Sequence, residues 1–203
     1  RLDFENTVRK AVKQEQFELY YQPQIDLNTG SIIGAEALTR WNHPQHGAIS
    51  PAKFIPAIEE LGLIVPFTDW VIRQVGKDRL AMVDLGVEVE RIAINISSKQ
   101  FTQQKIPQKI NDALQPFGLN PQFLELELTE SVLAHQDKET LAILSQIKEM
   151  GMSISVDDFG TGYSSMVYLK SLPIDVVKID RFFIKDLLVS RKDAAIVKAI
   201  ISM

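Results

Sequence analysis

Two adjacent carboxylates, Asp157 and Asp158, close a short apolar run at 153–157 and precede Gly160-Thr161-Gly162. Side chains alternate along a strand, so neighbouring residues cannot aim at one point while the strand stays regular. The pair therefore predicts a strand that ends at the aspartates, where the glycines turn the chain and Asp158 swings toward whatever Asp157 faces. Two close carboxylates repel each other, and a divalent cation between them removes that conflict.

The same alternation finds partners for the pair. In 91–97 the apolar residues Ile92, Ile94 and Ile96 leave Ala93, Asn95 and Ser97 opposite. In 123–129 the leucines leave Glu125, Glu127 and Thr129, and in 176–180 the residues opposite Val177 and Ile179 include Lys178 and Asp180. In 33–41, Glu36, Leu38 and Arg40 share the polar face. Glu36, Asn95, Glu127, Asp157 and Lys178 thus each sit near the C-terminal end of a strand, on the face turned away from the apolar set. Unpaired carboxylates on an interior face cost several kcal/mol each, so a shared cation or a closed network must compensate. All the candidate ligands are oxygens, which suits Mg²⁺ or Mn²⁺ better than zinc, and the paired aspartates suit two metals flanking a phosphoryl group. The chemistry this pattern predicts is metal-assisted hydrolysis of a phosphate ester. Glu125 has inward parity without a role in that set, and its expected partner is a basic neighbour low in the sheet.

The elements that must hold these residues follow from periodicity. Phe4, Val8, Ala11 and Val12 share one helical face, so the first fifteen residues read as an amphipathic helix. Strands at 17–27 and 31–41 flank Asn28-Thr29-Gly30 and form a hairpin. Helices at 51–61 and 66–85 lead to the strand 91–97, and a helix at 99–114 leads to the strand 123–129. A helix at 138–150 leads to the strand 153–157, a short helix at 164–172 leads to the strand 176–180, and a last helix runs from about Asp193. After the hairpin, strand and helix alternate, which predicts a mainly parallel α/β sheet in one domain. Six strands are countable, whereas a (β/α) barrel closes with eight over ~250 residues, so the pattern predicts either an open sheet or a barrel without its last two strands.

Composition narrows the function further. The 203 residues are 45% apolar with a net charge of −4, enough for one sizeable core and without the basic run that a DNA or RNA backbone demands. A cation in an acidic site still admits a small anionic ester. The absence of cysteine excludes disulfides, thiolate zinc sites and cysteine nucleophiles, in keeping with a reducing, cytoplasmic setting. No apolar run approaches the ~20 residues of a membrane helix. The chain opens on Arg1 with no signal-peptide pattern, which predicts a piece of a longer protein, itself open to a membrane anchor.

Blander readings stand beside these. Asp157-Asp158-Phe159-Gly160 could cap the next helix. Asp-Phe-Gly occurs in protein kinases, but no phosphate-covering glycine loop or His-Arg-Asp segment accompanies it. Gly160-Thr161-Gly162 with Asp180 mimics a dinucleotide fingerprint, yet it lacks the third glycine and carries two anions where pyrophosphate would lie. Lys178 could serve only as an ion-pair partner of Asp157 or Glu127, and Arg40 and Trp41 could merely end a strand. His43, His46 and His135 are given no role. Met150, Met152 and Met166 read as core, and Phe101 and Phe117 as helix anchors.

Glu36-Ala37-Leu38-Thr39-Arg40-Trp41 resembles the motif of EAL domains, the bacterial phosphodiesterases of cyclic di-GMP. The likeness continues in order through Tyr21-Gln22-Pro23-Gln24, Ser50-Pro51 with Phe54-Ile55-Pro56, Asn95-Ile96-Ser97, Glu127-Leu128-Thr129-Glu130, the stretch 157–165 and Lys178-Ile179-Asp180. The resemblance implies a modified TIM (β/α)₈ barrel with an antiparallel first strand, and hydrolysis of cyclic di-GMP to linear pGpG with Mg²⁺ or Mn²⁺. By motif, Glu36, Asn95, Glu127 and Asp157 would hold one metal, and Asp157 and Asp158 would serve a second. Lys178 would orient the attacking water. Arg40 would contact a substrate phosphate, while Gln24, Leu38 and Asp180 would contact the nucleotide. Glu130 would brace the loop 157–165, which in that family leads to a homodimer interface. An upstream sensory or GGDEF domain is the implied neighbour. The alternative within the family is an inactive receptor that binds the dinucleotide and relays a signal. Family members continue into a seventh strand bearing a glutamate and an eighth bearing a glutamine. The resemblance therefore implies one domain at 1–203 lacking its C-terminal portion, with an incomplete barrel, an empty second metal site and weak or absent activity.

Overall fold

The computed structural model describes residues 2–103, 105–133, 138–160 and 172–202. The expected helix at 164–172, Met166, His135 and the end of the loop 157–165 lie outside them. The chain opens with α1 (Leu2–Lys13), whose acidic first turn and basic last turn complement the helix dipole and whose Val8, Ala11 and Val12 are buried. The hairpin β1 (Glu18–Ile25) and β2 (Ile32–His43) follows. Its turn is held by Asp26, whose Oδ1 accepts from the N–H groups of Asn28 and Thr29 at 2.9 and 2.7 Å.

β2 runs two residues beyond its expected end and pairs with an unforeseen three-residue strand, β3 (Gly47–Ile49), through Trp41 and Ile49. Three residues are too few to show any period. The helices α2 (Pro51–Glu60) and α3 (Ile64–Asp84) then lead to β4 (Arg91–Ile96). α3 begins ahead of Pro66, because proline is tolerated in a helix's first turn, where its missing N–H has no partner to lose. The single helix expected at 99–114 is two, α4 (Ser98–Gln103) and α5 (Ile106–Leu114). Pro107 cannot donate into a preceding turn and so opens a new helix instead of extending the old one.

β5 (Leu124–Thr129) passes directly into the short α6 (Glu130–Leu133), and α7 (Lys138–Glu149) leads to β6 (Ser153–Phe159). β7 (Val176–Ile179) is followed by α8 (Arg181–Lys185), which sequence periodicity did not show, and by α9 (Arg191–Ile201). Both last helices have side-chain caps, from Asp180 and Ser190 respectively.

The sheet order is β1-β2-β4-β5-β6-β7, with β3 attached to β2. β1 is antiparallel to β2, and every later neighbour on that path is parallel. These six strands curl into a half-barrel of TIM-barrel type, as the fold expectation required. Ile92, Ile94, Leu124, Leu126, Leu128, Ile154 and Val156 are fully buried on the helix side, with Phe101 and Met152. The apolar parity is therefore the outer, helix-packed face, and the polar parity faces the barrel interior. Glu125 lies there with 4% exposure, and Arg91 on the neighbouring strand approaches it to 3.7 Å. Among the described residues no helix is long and apolar enough to cross a membrane.

Candidate active site at the barrel mouth

Cross-strand register assembles the polar face. Glu36 lies beside Ala93, Asn95 beside Glu127, Glu127 beside Ser155, and Thr129 beside Asp157. From β7, Lys178 reaches into the middle of this set. Its Nζ donates to Glu127 Oε1 at 2.8 Å and Glu36 Oε2 at 3.0 Å, and stands 3.5 Å from Asp157 Oδ1. Asn95 Nδ2 donates to Glu36 Oε1 at 2.9 Å. The five residues that parity singled out thus meet in one network.

Three carboxylates around one ammonium leave excess negative charge, and burial decides where it is resisted. Glu127, whose side chain is 0% exposed, is pushed up to about 8, first by burial; Lys178 pulls the other way, and Glu36 and Asp157 add to the rise. Burial alone would raise Glu36 too, but the hydrogen bonds from Lys178 and Asn95 outweigh it and hold Glu36 below the usual carboxylate value. Burial would lower Lys178, and its carboxylate partners overcome that and raise it. Of this pair, then, Glu127 is the carboxyl that resists ionisation and Glu36 the one that favours it.

Asp157 and Asp158 converge by a route other than the expected one. β6 does not end at Asp157 but continues through Phe159. The register passes from Val156 opposite Val177 to Phe159 opposite Ile179, so Asp157 and Asp158 together oppose Lys178. This is a β-bulge, and Asp158 occupies it in the left-handed region at φ 54. Aspartate is among the few non-glycine residues that visit this region routinely. Burial, a hydrogen bond with Asp180, and the charges of Asp157 and Asp180 all raise the Asp158 carboxyl. Asp180 also accepts the Phe182 N–H at 2.5 Å, capping α8.

Behind the bulge, Gly160 at φ 99 donates its N–H to Glu130 Oε2 at 3.3 Å, and a Cβ there would lie 2.8 Å from the Phe183 ring. On β2, Leu38 lies opposite Tyr20. Arg40 donates to its neighbour's carbonyl, Thr39 O, at 3.0 Å, and among the described residues no carboxylate pairs with it. Gln24 stands opposite Gly34, with its amide oxygen 2.6 Å from where a Cβ on that glycine would be. The β1 residue directly across from Glu36 is Gln22. No motif gives Gln22 a role, and the hairpin register is the signal that places it across from Glu36.

Among the described residues no group of three or more His, Cys, Asp or Glu side chains is set to hold a metal ion. The ammonium of Lys178 occupies the centre of the carboxylates instead. The donors nevertheless suit a hard divalent cation: all are oxygens, and Glu127 Oε2 is buried with no hydrogen-bond partner among the described residues. A buried carboxylate oxygen left without a donor is an acceptor that a cation would satisfy.

Comparison with known proteins gives a consistent result. The family model for the EAL domain matches residues 5–203. The curated MucR of Pseudomonas aeruginosa, a bifunctional diguanylate cyclase/cyclic di-GMP phosphodiesterase, is 42% identical over 203 residues, covering 100% of this chain and 30% of MucR. NbdA of the same bacterium, a cyclic di-GMP phosphodiesterase, is 40% identical over 202 residues, covering 100% of this chain and 26% of NbdA. The chain thus spans less than a third of either relative. A solved PaMucR phosphodiesterase in complex with c-di-GMP superposes with a TM-score of 0.90 at 43% identity, over 97% of this chain and 80% of that one. The EAL enzyme Bd1971, in a form bound to cAMP and cyclic-di-GMP, gives a TM-score of 0.88 at 37% identity, over 99% and 55% of the two chains.

Proposed function

This chain belongs to the EAL domain family, and we propose that it hydrolyses cyclic di-GMP, opening one phosphodiester to linear pGpG with Mg²⁺ or Mn²⁺. The observation that carries this reading is the single network in which Lys178 meets Glu36, Glu127 and Asp157 at the C-terminal ends of the strands. Parallel α/β folds keep their active sites there. Relatives named as cyclic di-GMP phosphodiesterases, and a neighbour solved with c-di-GMP, support the substrate.

In this reading Glu36, Asn95, Glu127 and Asp157 hold one metal, and Asp157 with Asp158 serve a second. When bound, such ions supply the Lewis acidity that polarises a phosphodiester and acidifies water. The protein's own part is positional. Glu127, whose carboxyl burial keeps from ionising, would serve such an ion only as the carboxylate. Lys178, hydrogen-bonded to Glu36 and Glu127, would orient the water. Arg40 takes a phosphate, and Leu38, Asp180, Gln24 and Gln22 face the nucleotide. Water adds to phosphorus, one ribose 3′-oxygen leaves and takes a proton, and the product keeps a 5′-phosphate.

Glu130 braces the segment after the bulge through Gly160. Residues 1–203 act as one domain of a longer protein, alongside a sensory or GGDEF region, and pair with a second copy through the segment after Asp158. Incubation with cyclic di-GMP and Mg²⁺ or Mn²⁺ tests the reaction. Appearance of pGpG supports it, and tight binding without product favours the receptor alternative instead.

A further inference from the structure

We propose that Tyr20 is a positioning residue for the substrate, an inference that rests on Arg40 as the phosphate contact. Tyr20 lies on β1, which runs alongside β2, and its parity is that of Gln22 opposite Glu36. It therefore faces the barrel interior, and it is 54% exposed. The Arg40 guanidinium lies over this ring, 5.8 Å from its centroid. The residue directly opposite Arg40 is Glu18, an obvious ion-pair partner. Glu18 instead accepts from Asn42 Nδ2 at 3.3 Å and forms no ion pair with Arg40.

The consequence is electrostatic. A carboxylate would fix the guanidinium but cancel its charge, and a phosphate would have to displace it. An aromatic face fixes the same group through its quadrupole and leaves the charge intact. A contact to the ring face commits none of the guanidinium's N–H donors to a carboxylate, and those donors match phosphate oxygens two at a time. Among the described residues, one of them is used, by Thr39 O. Tyr20 thus holds the arginine ready for an anionic ligand.

The test measures cyclic di-GMP binding by titration in EDTA, and turnover with Mg²⁺, in the intact protein. Tyr20→Ala should raise Kd and KM about two- to fivefold, the equivalent of one exposed cation–π contact, with kcat unchanged at saturation. Tyr20→Phe should restore wild-type values, and Tyr20→Leu should not. In an Arg40→Ala background, Tyr20→Ala should add nothing. An unchanged Kd in Tyr20→Ala overturns the proposal, and so does the same fold loss in the absence of Arg40. If wild-type protein binds but makes no pGpG, the hydrolysis reading fails while the titration still decides Tyr20. If it does not bind, the roles of Arg40 and Tyr20 fall together.

Discussion

Lys178 stands where a metal enzyme of this kind would need positive charge, and that placement has measurable consequences without any ligand. Removing the ammonium leaves Glu36, Glu127 and Asp157 facing one another. Lys178→Met should destabilise the metal-free protein by about 1–3 kcal/mol, less than a fully buried pair because the lysine is partly exposed. Added Mg²⁺ should recover more stability in the variant than in the wild type. Equal Mg²⁺ effects in denaturant titrations would contradict the shared-site account. Glu127 makes a second prediction. Its pKa rises from the usual carboxylate value to about 8 in the folded, metal-free protein, so between about pH 5 and 8 the folded state binds more protons than the unfolded one. Stability should then fall as pH rises through that window. Glu36 is shifted the other way, and its contribution is lost only at acid pH. Glu127→Gln should flatten the decline, as read from unfolding midpoints at several pH values. Alternation alone was enough to pick out Glu36, Asn95, Glu127, Asp157 and Lys178, because period-2 patterning reports which face a residue is on. It does not report which residue stands opposite which, so Gln22 emerged only from the hairpin register.

At the level of elements, the bulge in β6 replaces the strand end that alternation demanded. The premise was sound: two neighbours cannot share a face in a regular strand. The chain satisfies it with one extra residue inside the ladder and a left-handed aspartate, a device that leaves no mark on hydrophobic period. Asp158→Val should cost about 1–2 kcal/mol through that backbone conformation alone, whereas Asp158→Asn should keep wild-type stability. Matching denaturation midpoints for the valine and asparagine variants would remove the argument for a conformational constraint. The other elements missed in the sequence were β3, α6 and α8, all too short to show a period. The split between α4 and α5 was visible in Pro107 but masked by apolar spacing that continues across it.

For the whole molecule, the alternation of elements led to one mainly parallel α/β sheet with an antiparallel hairpin, and the resemblance to EAL domains, not the pattern, supplied the barrel. Order along the chain cannot say how far a sheet curls; that comes from the pairing of six strands. A net charge of −4 sits beside a proposed polyanionic substrate, so attraction must come from local groups such as Arg40 and bound cations, not from the overall field. The central claim is that the carboxylates gathered on Lys178 form a hydrolytic centre for cyclic di-GMP. Glu36 is the most direct probe, because its carboxylate is only partly buried and joins both Asn95 and Lys178. Comparing pGpG production by wild-type and Glu36→Ala protein with Mg²⁺ or Mn²⁺ should show turnover in the former and a loss of about 100-fold or more in the latter, on the scale of removing one electrostatic element of an active site. Equal turnover in the two proteins would contradict the account.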